Sequence, residues 1–492
     1  MNSETQAIEA LMAASLSSEC VIIPYDSPAA VSSTLIASVL GTRVKILDGV
    51  ADQVEFNVAI SALPSQGGKI SVLAGTILQT DSINTVHDLI LEGAGKDATV
   101  FKQADGANIS TGLIYANGNF NRGAIRDIGF DGNHANNSSG YGLYLRGVWY
   151  ASFEHIHIKE CNTYGLRITS TAGGTYSGEC YFEDIYSHEN AGIGFSISAC
   201  GDSVFVDCFT YANTGVGFHL VASHNIFYHA HAYGDGSYGF QIDNTADHTA
   251  MFGCTGDKSA RHGFYINCDH SQFIGCYAYD CSYTSSGYDG FRVTGTYNIL
   301  MGCLNVDDAA GGGLTMEYCI QESGGADHNT YIGNDVTTYK TGPMKLIGPS
   351  STAKDNIGYI HHGEIRTAYV ALVAGIANAI GLAWENPELQ AIYVRKINIP
   401  VTTGGGTVGS HLDVGVADDA SGTNRGTEFF NDLHLETVQL NDSWLAADGG
   451  QQVKAVRVEA NGNATDSFVV GQILDAAAST LVGSGLMEYM GA

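Results

Sequence analysis

From Gly142 onward the chain repeats one short phrase: a glycine, an apolar residue, any residue, an apolar residue. "GLYL" is followed by "GLRI", "GFSI", "GFHL", "GFQI", "GFYI" and "GFRV". Such alternation points every second side chain to one face, the period of a β-strand and not of a helix. The glycines stand at Gly142, Gly165, Gly194, Gly217, Gly239, Gly263, Gly290, Gly313 and Gly342, at intervals of 22–29 residues. A second pattern runs in phase, a large apolar residue three positions before a smaller one. It reads Phe153–Ile156, Phe182–Ile185, Phe205–Cys208, Phe227–Ala230, Met251–Cys254, Phe273–Cys276 and Leu300–Cys303. A unit this short cannot bury its own apolar face and must stack on its neighbours. The expectation is a coil of parallel strands, with each glycine at one tight corner. Cys208, Cys254, Cys276 and Cys303 share one phase and should form an inward ladder of small side chains.

The rhythm stops near residue 365. Strand-like stretches near "AIYVRKINI", "HLDVGVA", "VKAVRVEA", "SFVVGQIL" and "LMEYM", parted by turn residues, then predict a β-sandwich. The division expected is an N-terminal segment 1–45, a coil over 46–364 and a sandwich over 365–492.

Composition narrows the partners. The 492 residues hold 62 Gly and 7 Pro, which suits many tight turns. Lys and Arg total 22 against 51 acids, a formal charge of −29. That field repels nucleic-acid phosphate and anionic lipid, so neither is expected as a partner. The longest apolar stretch, Tyr369 to Trp384, is broken by Asn378 and two glycines, and no membrane insertion is expected. The start lacks the basic region of a secretory signal, which predicts synthesis in a cytoplasm without a signal peptide. Eleven cysteines without metal-like clustering predict buried free thiols. The four ladder cysteines would lie along an axis and not converge on a point, so no metal and no cofactor are expected.

The repeats, together with "DGVADQVEFNVAISALPSQGGKISVLAGTI" (Asp48 to Ile77) and "LILEGAGKDATVF" (Leu89 to Phe101), resemble the pectate-lyase-like, right-handed parallel β-helix superfamily. Within it the chain is similar to bacteriophage tailspikes and polysaccharide depolymerases; Gly49, Val50, Asp52, Ala59, Ile60, Gly67, Gly68, Ile70, Val72 and Gly75 carry the match. The resemblance implies an all-β fold, a right-handed parallel β-helix followed by a jelly-roll-like sandwich. It implies a homotrimer in a virion tail, with residues 1–45 as a virion-attachment piece joined to other tail proteins. Its partner would be a bacterial surface polysaccharide, capsule or O-antigen, bound and hydrolysed at internal glycosidic bonds. A non-catalytic glycan-binding adhesin or fibre, and a polysaccharide lyase or epimerase, are the alternatives.

Stepping outward from the small residue of each rung gives two outer columns. One holds His157, Tyr186, Phe209, His231, Thr255, Tyr277 and Leu304; the other holds Lys159, His188, Tyr211, Tyr233, Asp257, Tyr279 and Val306. Tyr186, His188, Phe209, Tyr211, His231, Tyr233, Tyr277 and Tyr279 would form an aromatic strip suited either to sugar-ring faces or to a subunit interface. Acids crowd the corner after it: Glu160, Glu189, Asp235, Asp257, Asp280, Asp307 and Asp308. Turn preference alone explains many of them. As a glycosidase pair the candidates are Glu189, Asp235, Asp257 and Asp280. At ~4.8 Å per rung, Asp235 with Asp257 or Asp257 with Asp280 would suit a retaining pair, and Glu189 with Asp235, at ~9.5 Å, an inverting one. A further column, Tyr144, Arg167, Ser196, His219, Gln241, Tyr265, Arg292 and Thr315, would serve the lyase alternative, Arg167 and Arg292 holding a uronate and Tyr265 or His219 taking its proton.

Overall fold

The structure is a computed structural model that describes residues 19–27, 44–284, 287–308, 314–359, 365–374, 379–387, 392–403, 411–418, 420–421, 430–434, 439–442, 456–458, 468–474 and 482–491. Most of segment 1–45 and Gly313 lie outside the described residues. The chain forms two compact units, residues 1–330 with 338–351 and residues 331–337 with 352–492.

The first unit is a stack of parallel rungs. Its start is covered by the helix Gln53–Ser61, which buries Gln53, Phe56, Ala59 and Ile60, with Phe56 edge-on to Phe101 at 5.5 Å. The preceding "DGVAD" is explained by Asp52, whose buried carboxylate accepts the N–H groups of Gly49 (2.9 Å) and Leu78 (2.7 Å). An eleven-stranded parallel sheet runs from Ile83–Asn84 to Gly342–Lys345. Opposite it, a longer parallel sheet carries two short strands per rung, such as Val204–Val206 and Phe209–Tyr211. Like residues stack on like. Phe153, Phe182, Phe205 and Phe227 form one internal pile with centroids 4.5–4.8 Å apart, and Phe195, Phe218, Phe240, Phe264 and Phe291 another at 4.6–4.8 Å. Cys208, Cys254, Cys276 and Cys303 are inward and at most 1 % exposed, and all eleven cysteines are free and buried.

The repeated glycines have another cause than the one expected. None from Gly142 to Gly290 has a positive φ; they open the strands of the eleven-stranded sheet and are buried. A Cβ on Gly217 would lie 2.4 Å from Asp235 Oδ2 and 2.7 Å from the Gly239 carbonyl oxygen, and one on Gly290 2.2 Å from Asn305 Oδ1. Each glycine lets a strand pass close beneath the next rung. In register with Gly290 stands Cys319, not Gly313, since Phe291 pairs with Ile320.

The corners are made instead by left-handed residues in columns. Glu160, Glu189, Ala212, Gly234, Lys258 and Asp280 form one, with φ between 45° and 63°. Asp184, Asp207, His229, Gly253, Gly275 and Gly302 form a second, and Asp202, His224, His248, His270, Tyr297 and His328 a third. Asn, Asp and His tolerate this conformation better than most residues, which accounts for much of the acid-rich corner.

Next to each corner the strand ladder is interrupted, and side chains complete it. The Cys161 N–H donates to Asn190 Oδ1 (2.8 Å), Asn190 Nδ2 to Asn213 Oδ1 (2.7 Å), and Asn213 Nδ2 to Asp235 Oδ1 (2.9 Å). A second internal ladder joins Ser271, Asn298 and Asn329 through N–H donors at 2.9–3.0 Å.

The second unit holds two antiparallel sheets. One orders its strands Ile365–Ala371, Val482–Gly491, Ile392–Thr403, Gln439–Asp442, with Val456–Val458 also on Ile392–Thr403; the other orders Ile380–Glu385, Phe468–Leu474, His411–Ala417, Phe430–His434. Leu382, Leu412, Val414, Val416 and Val469 of one sheet share an apolar core with Ile392, Val394, Ile397, Ile399 and Met487 of the other. This is a sandwich.

Two outcomes follow. All eleven cysteines are buried, and burial pushes the Cys208 thiol up to about 12, so a thiol reagent at pH 8 should label almost none of them in the native protein and all of them in denaturant. Rapid native labelling would contradict the inward ladder. Asp235 is 1 % exposed, and burial pushes its carboxyl up to about 7 against hydrogen bonds from Thr210 and Asn213. A folded pKa above the unfolded ~3.9 means the native state holds the extra proton, so stability falls as pH rises from ~4 to ~7 and the penalty persists above. Asn at this position would continue the Asn190–Asn213 ladder without charge. Asp235→Asn should therefore stabilise the protein at pH 8 by on the order of 1–4 kcal/mol and leave it nearly unchanged at pH 4, measured by denaturant titration.

Candidate functional site

The long sheet presents two outer columns in strict register. Val100, Gly129, His157, Tyr186, Phe209, His231, Thr255, Tyr277 and Leu304 pair rung on rung, and beside them run Lys102, Asp131, Lys159, His188, Tyr211, Tyr233, Asp257, Tyr279 and Val306. From His157 to Tyr279 the aromatic members are half-buried, their neighbours in the strand pointing inward. His157 stacks on Tyr186 at 5.2 Å, Tyr186 meets Phe209 at 4.8 Å, and Phe209 meets His231 edge-on at 4.8 Å. Tyr211 stacks on Tyr233 at 5.5 Å, and Tyr277 on Tyr279 at 5.9 Å. Parallel pairing sets the spacings between rungs, each ring standing one strand separation from the next, while Tyr277 and Tyr279 are neighbours along one strand.

The strip is interrupted once, at the rung of Thr255, Gly256 and Asp257. Here the side chains are small, with rings of His231 and Tyr233 on one side and Tyr277 and Tyr279 on the other. His231 Nε2 lies 3.7 Å from Asp257 Oδ2. That nitrogen and Asp257 Oδ1 are both buried without a hydrogen-bond partner. Two unsatisfied polar atoms between aromatic walls favour a polar ligand. The Lys258 ammonium spans the gap, 5.9 Å from the Tyr233 ring and 5.8 Å from that of Tyr279. Asp280 closes the corner: it is 4 % exposed, its Oδ1 accepts the Asp308 N–H at 2.9 Å, and burial, reinforced by the Asp308 carboxylate, pushes its carboxyl above the usual range. Tyr279 donates its hydroxyl to Asp308, and burial with the carboxylates of Asp257, Asp280 and Asp308 raises the Tyr277 hydroxyl.

At the other end of the strip a chain of titratable groups crosses three rungs. Asp97 Oδ1 lies 2.7 Å from His157 Nδ1, His157 Nε2 lies 2.5 Å from His188 Nε2, and His188 Nδ1 lies 3.2 Å from Glu189 Oε2. Burial and the neighbouring His157 hold the His188 imidazole below its usual pKa. Glu189 stands at a left-handed corner with its side chain 52 % exposed.

The four candidate acids thus separate into three environments. Asp257 stands in the strip itself, while Glu189 and Asp280 occupy one left-handed column. Asp235, expected on the outer corner, is a correction. One residue past that corner the chain turns inward, and Asp235 takes the ladder position after Asn190 and Asn213 with both oxygens engaged inside. Glu189 and Asp235 do not face a common groove. Lys258 and Asp97 were not singled out from sequence. Lys258 directly follows Asp257 and was open to view; Asp97 comes from a segment 60 residues before His157, outside the repeat.

The column on the eleven-stranded sheet runs Tyr144, Arg167, Ser196, His219, Gln241, Tyr265, Arg292 and then Gln321, not Thr315. Its charged members are committed internally. Arg167 packs over the rings of Tyr141, Tyr144 and Tyr164 at 4.7–5.4 Å, His219 Nε2 lies 2.8 Å from Asp243, and Arg292 binds Asp289 (3.1 Å), Ser323 and Gln321.

Comparisons with known proteins bear on the fold. The family model described as a right handed beta helix region matches residues 77–255. A search of curated proteins gives no match. The A-module of the mannuronan C-5 epimerase AlgE4 of Azotobacter vinelandii superposes with a TM-score of 0.50 at 22 % identity, over 62 % of this chain and 96 % of that one. The N-terminal fragment of gene product 12 of bacteriophage Phi29 gives 0.52 at 16 %, over 63 % and 61 %. The Dettilon tailspike protein gives 0.49 at 11 %, over 96 % and 94 %. Register, the family model and the likenesses to the epimerase module and the Phi29 fragment agree: the chain is built on a right-handed parallel β-helix.

Proposed function

We propose that this protein is a bacteriophage tailspike that binds a bacterial surface polysaccharide along the aromatic strip and hydrolyses it at the interruption. The observation that carries this reading is the gap at Thr255–Asp257. Ring faces on both sides suit the apolar faces of sugars, and Asp257 Oδ1 and His231 Nε2, buried at this rung, have no hydrogen-bond partner of their own. Asp257 and Asp280 lie on adjacent rungs, ~4.8 Å apart along the stack, which suits a close carboxyl pair. Asp280, whose carboxyl burial raises above the usual range, is the member of the pair assigned to protonate the leaving glycosidic oxygen. Asp257 then serves as the base or nucleophile, steadied by His231, and Tyr233, Tyr277 and Tyr279 hold the sugar rings. A β-helix serves in a bacteriophage gene product and in a mannuronan epimerase, so a virion and a polysaccharide both suit this scaffold.

The strip competes with a subunit interface for its role, and a neighbouring face supports assigning the interface elsewhere. Val204, Val206, Ile226, Tyr228, Phe252, Ile274, Ile299 and Met301 line the outer side of the adjoining short strands, all at least partly exposed. An apolar face this long on one sheet favours burial against a second copy of the chain. The assembly proposed is a homotrimer in the virion tail, in contact with other tail proteins.

Incubation with capsular polysaccharides and O-antigens, followed by reducing-end and unsaturated-uronate measurements, tests the chemistry. Reducing ends without uronate absorbance are expected from a hydrolase. Asp257→Asn and Asp280→Asn should each lower that release at least 100-fold, with binding and melting temperature nearly unchanged. Normal cleavage by both variants would remove the site; binding without cleavage by the unaltered protein would leave an adhesin, and uronate absorbance a lyase. For the interface, sedimentation should show a trimer at micromolar concentration, and the double change Phe252→Asp with Met301→Asp should release folded monomers. A monomeric unaltered protein would dismiss the trimer.

A further inference from the structure

The aromatic strip does not end at His157. Its two columns continue through Gly129 and Val100, and through Lys159, Asp131 and Lys102. A cavity of about 270 Å³ opens there, floored by Gly129 and Val100 and walled by Lys102, Asp131 and Lys159. The segment carrying Lys96 and Asp97 crosses above it. Gly129 is what permits that crossing, because a Cβ there would lie 2.4 Å from the Lys96 carbonyl oxygen. The cavity is therefore part of the rung packing, and it opens beside His157, whose ring stacks on Tyr186 at 5.2 Å.

Its lining is richer in lysine than the chain as a whole. Among 22 cationic and 51 acidic residues overall, three lysines stand in this one cavity. Lys96 Nζ meets Asp184 Oδ2 at 2.6 Å and Lys102 Nζ meets Asp131 Oδ2 at 3.5 Å. The exposed Asp97 is engaged by His157 at 2.7 Å. Lys159, which also lines the cavity, has no ion pair among the described residues. Beside the cavity's own Asp131 and Asp97, an ammonium that makes no ion pair within a half-buried cleft attracts an anion more strongly than one in open solvent.

We infer that this cavity is a subsite for an anionic group carried by the polysaccharide, a carboxylate or a phosphate, with Lys159 as its principal contact and Lys102 beside it. The inference rests on the glycan reading above and adds the substrate class. Lys159 and Asp257 share one column, with His188, Tyr211 and Tyr233 between them, so they stand four rungs apart, or ~19 Å. The anionic group therefore lies well away from the bond that is cleaved. It anchors the chain and sets its register, and the subsite acts on KM and not on kcat.

The test measures binding of the same capsule and O-antigen panel in three forms: native, carboxyl-reduced with carbodiimide and borohydride, and dephosphorylated with hydrofluoric acid. The polymer that binds should lose about tenfold in affinity on one of the two treatments, which identifies the anion. Lys159→Gln should lose the same tenfold on the native polymer and nothing on the treated one. Tyr211→Ala, which removes a ring face, should weaken native and treated polymer alike. Lys102→Gln provides a second variant, and melting temperatures show that each folds. Equal binding of all three forms, or unaltered native binding by both lysine variants, overturns the subsite while leaving the strip intact. If no polymer binds in any form, the glycan reading falls and the subsite falls with it.

Discussion

Everything in the first unit follows from stacking parallel strands one hydrogen-bonded layer apart. A rung's N–H and C=O groups are met almost wholly by the rungs above and below, so no rung can shift along its strand without breaking both neighbours. Side chains must then lie over their counterparts at the strand separation, which suits flat rings and small groups. The internal piles of phenylalanine, the cysteine ladder and the tyrosine–histidine strip are three products of that one spacing.

The same constraint sets the price at the corners. A coil that closes in some 23 residues must turn sharply, and it does so through columns of left-handed residues, many of them with side chains. Beside the corners the strand ladder lapses, and Asn, Ser and Asp side chains inside the coil supply the missing partners. One residue therefore separates an exposed corner acid, such as Glu189, from a buried ladder member, such as Asn190. Asp235 falls on the inner side of that boundary, with its charge opposed by burial.

The strip departs from its regularity at two places. At Thr255–Asp257 the rings give way to small and acidic side chains, and the neighbouring rungs leave two polar atoms unsatisfied. At Gly129 the missing side chain lets a segment cross and makes a lysine-walled cavity. Both departures lie in the same two columns of the sheet.

The sequence by itself determined the coil, its phase and its faces. Period-two alternation and two patterns in phase assigned inside and outside, because a slip of one residue would have turned every phenylalanine outward. The strip from Tyr186 to Tyr279 and the four ladder cysteines were legible for that reason. The sandwich was legible in outline, from strands parted by turn residues. Tertiary structure decided what periodicity does not encode. The repeated glycines carry no turn signature in sequence that separates a corner from a close crossing, and only the packing of Gly217 beneath Gly239 and Asp235 shows which it is. Loop length hid the register of Cys319 with Gly290 and of Gln321 with Arg292, since a longer loop moves the phase without changing the pattern. Asp97 met His157 only through the crossing segment, and the partners of Arg167 and Arg292 only through neighbouring rungs. Local pattern fixes the direction in which a side chain points; what it meets there depends on residues brought alongside from other rungs, which no local pattern contains.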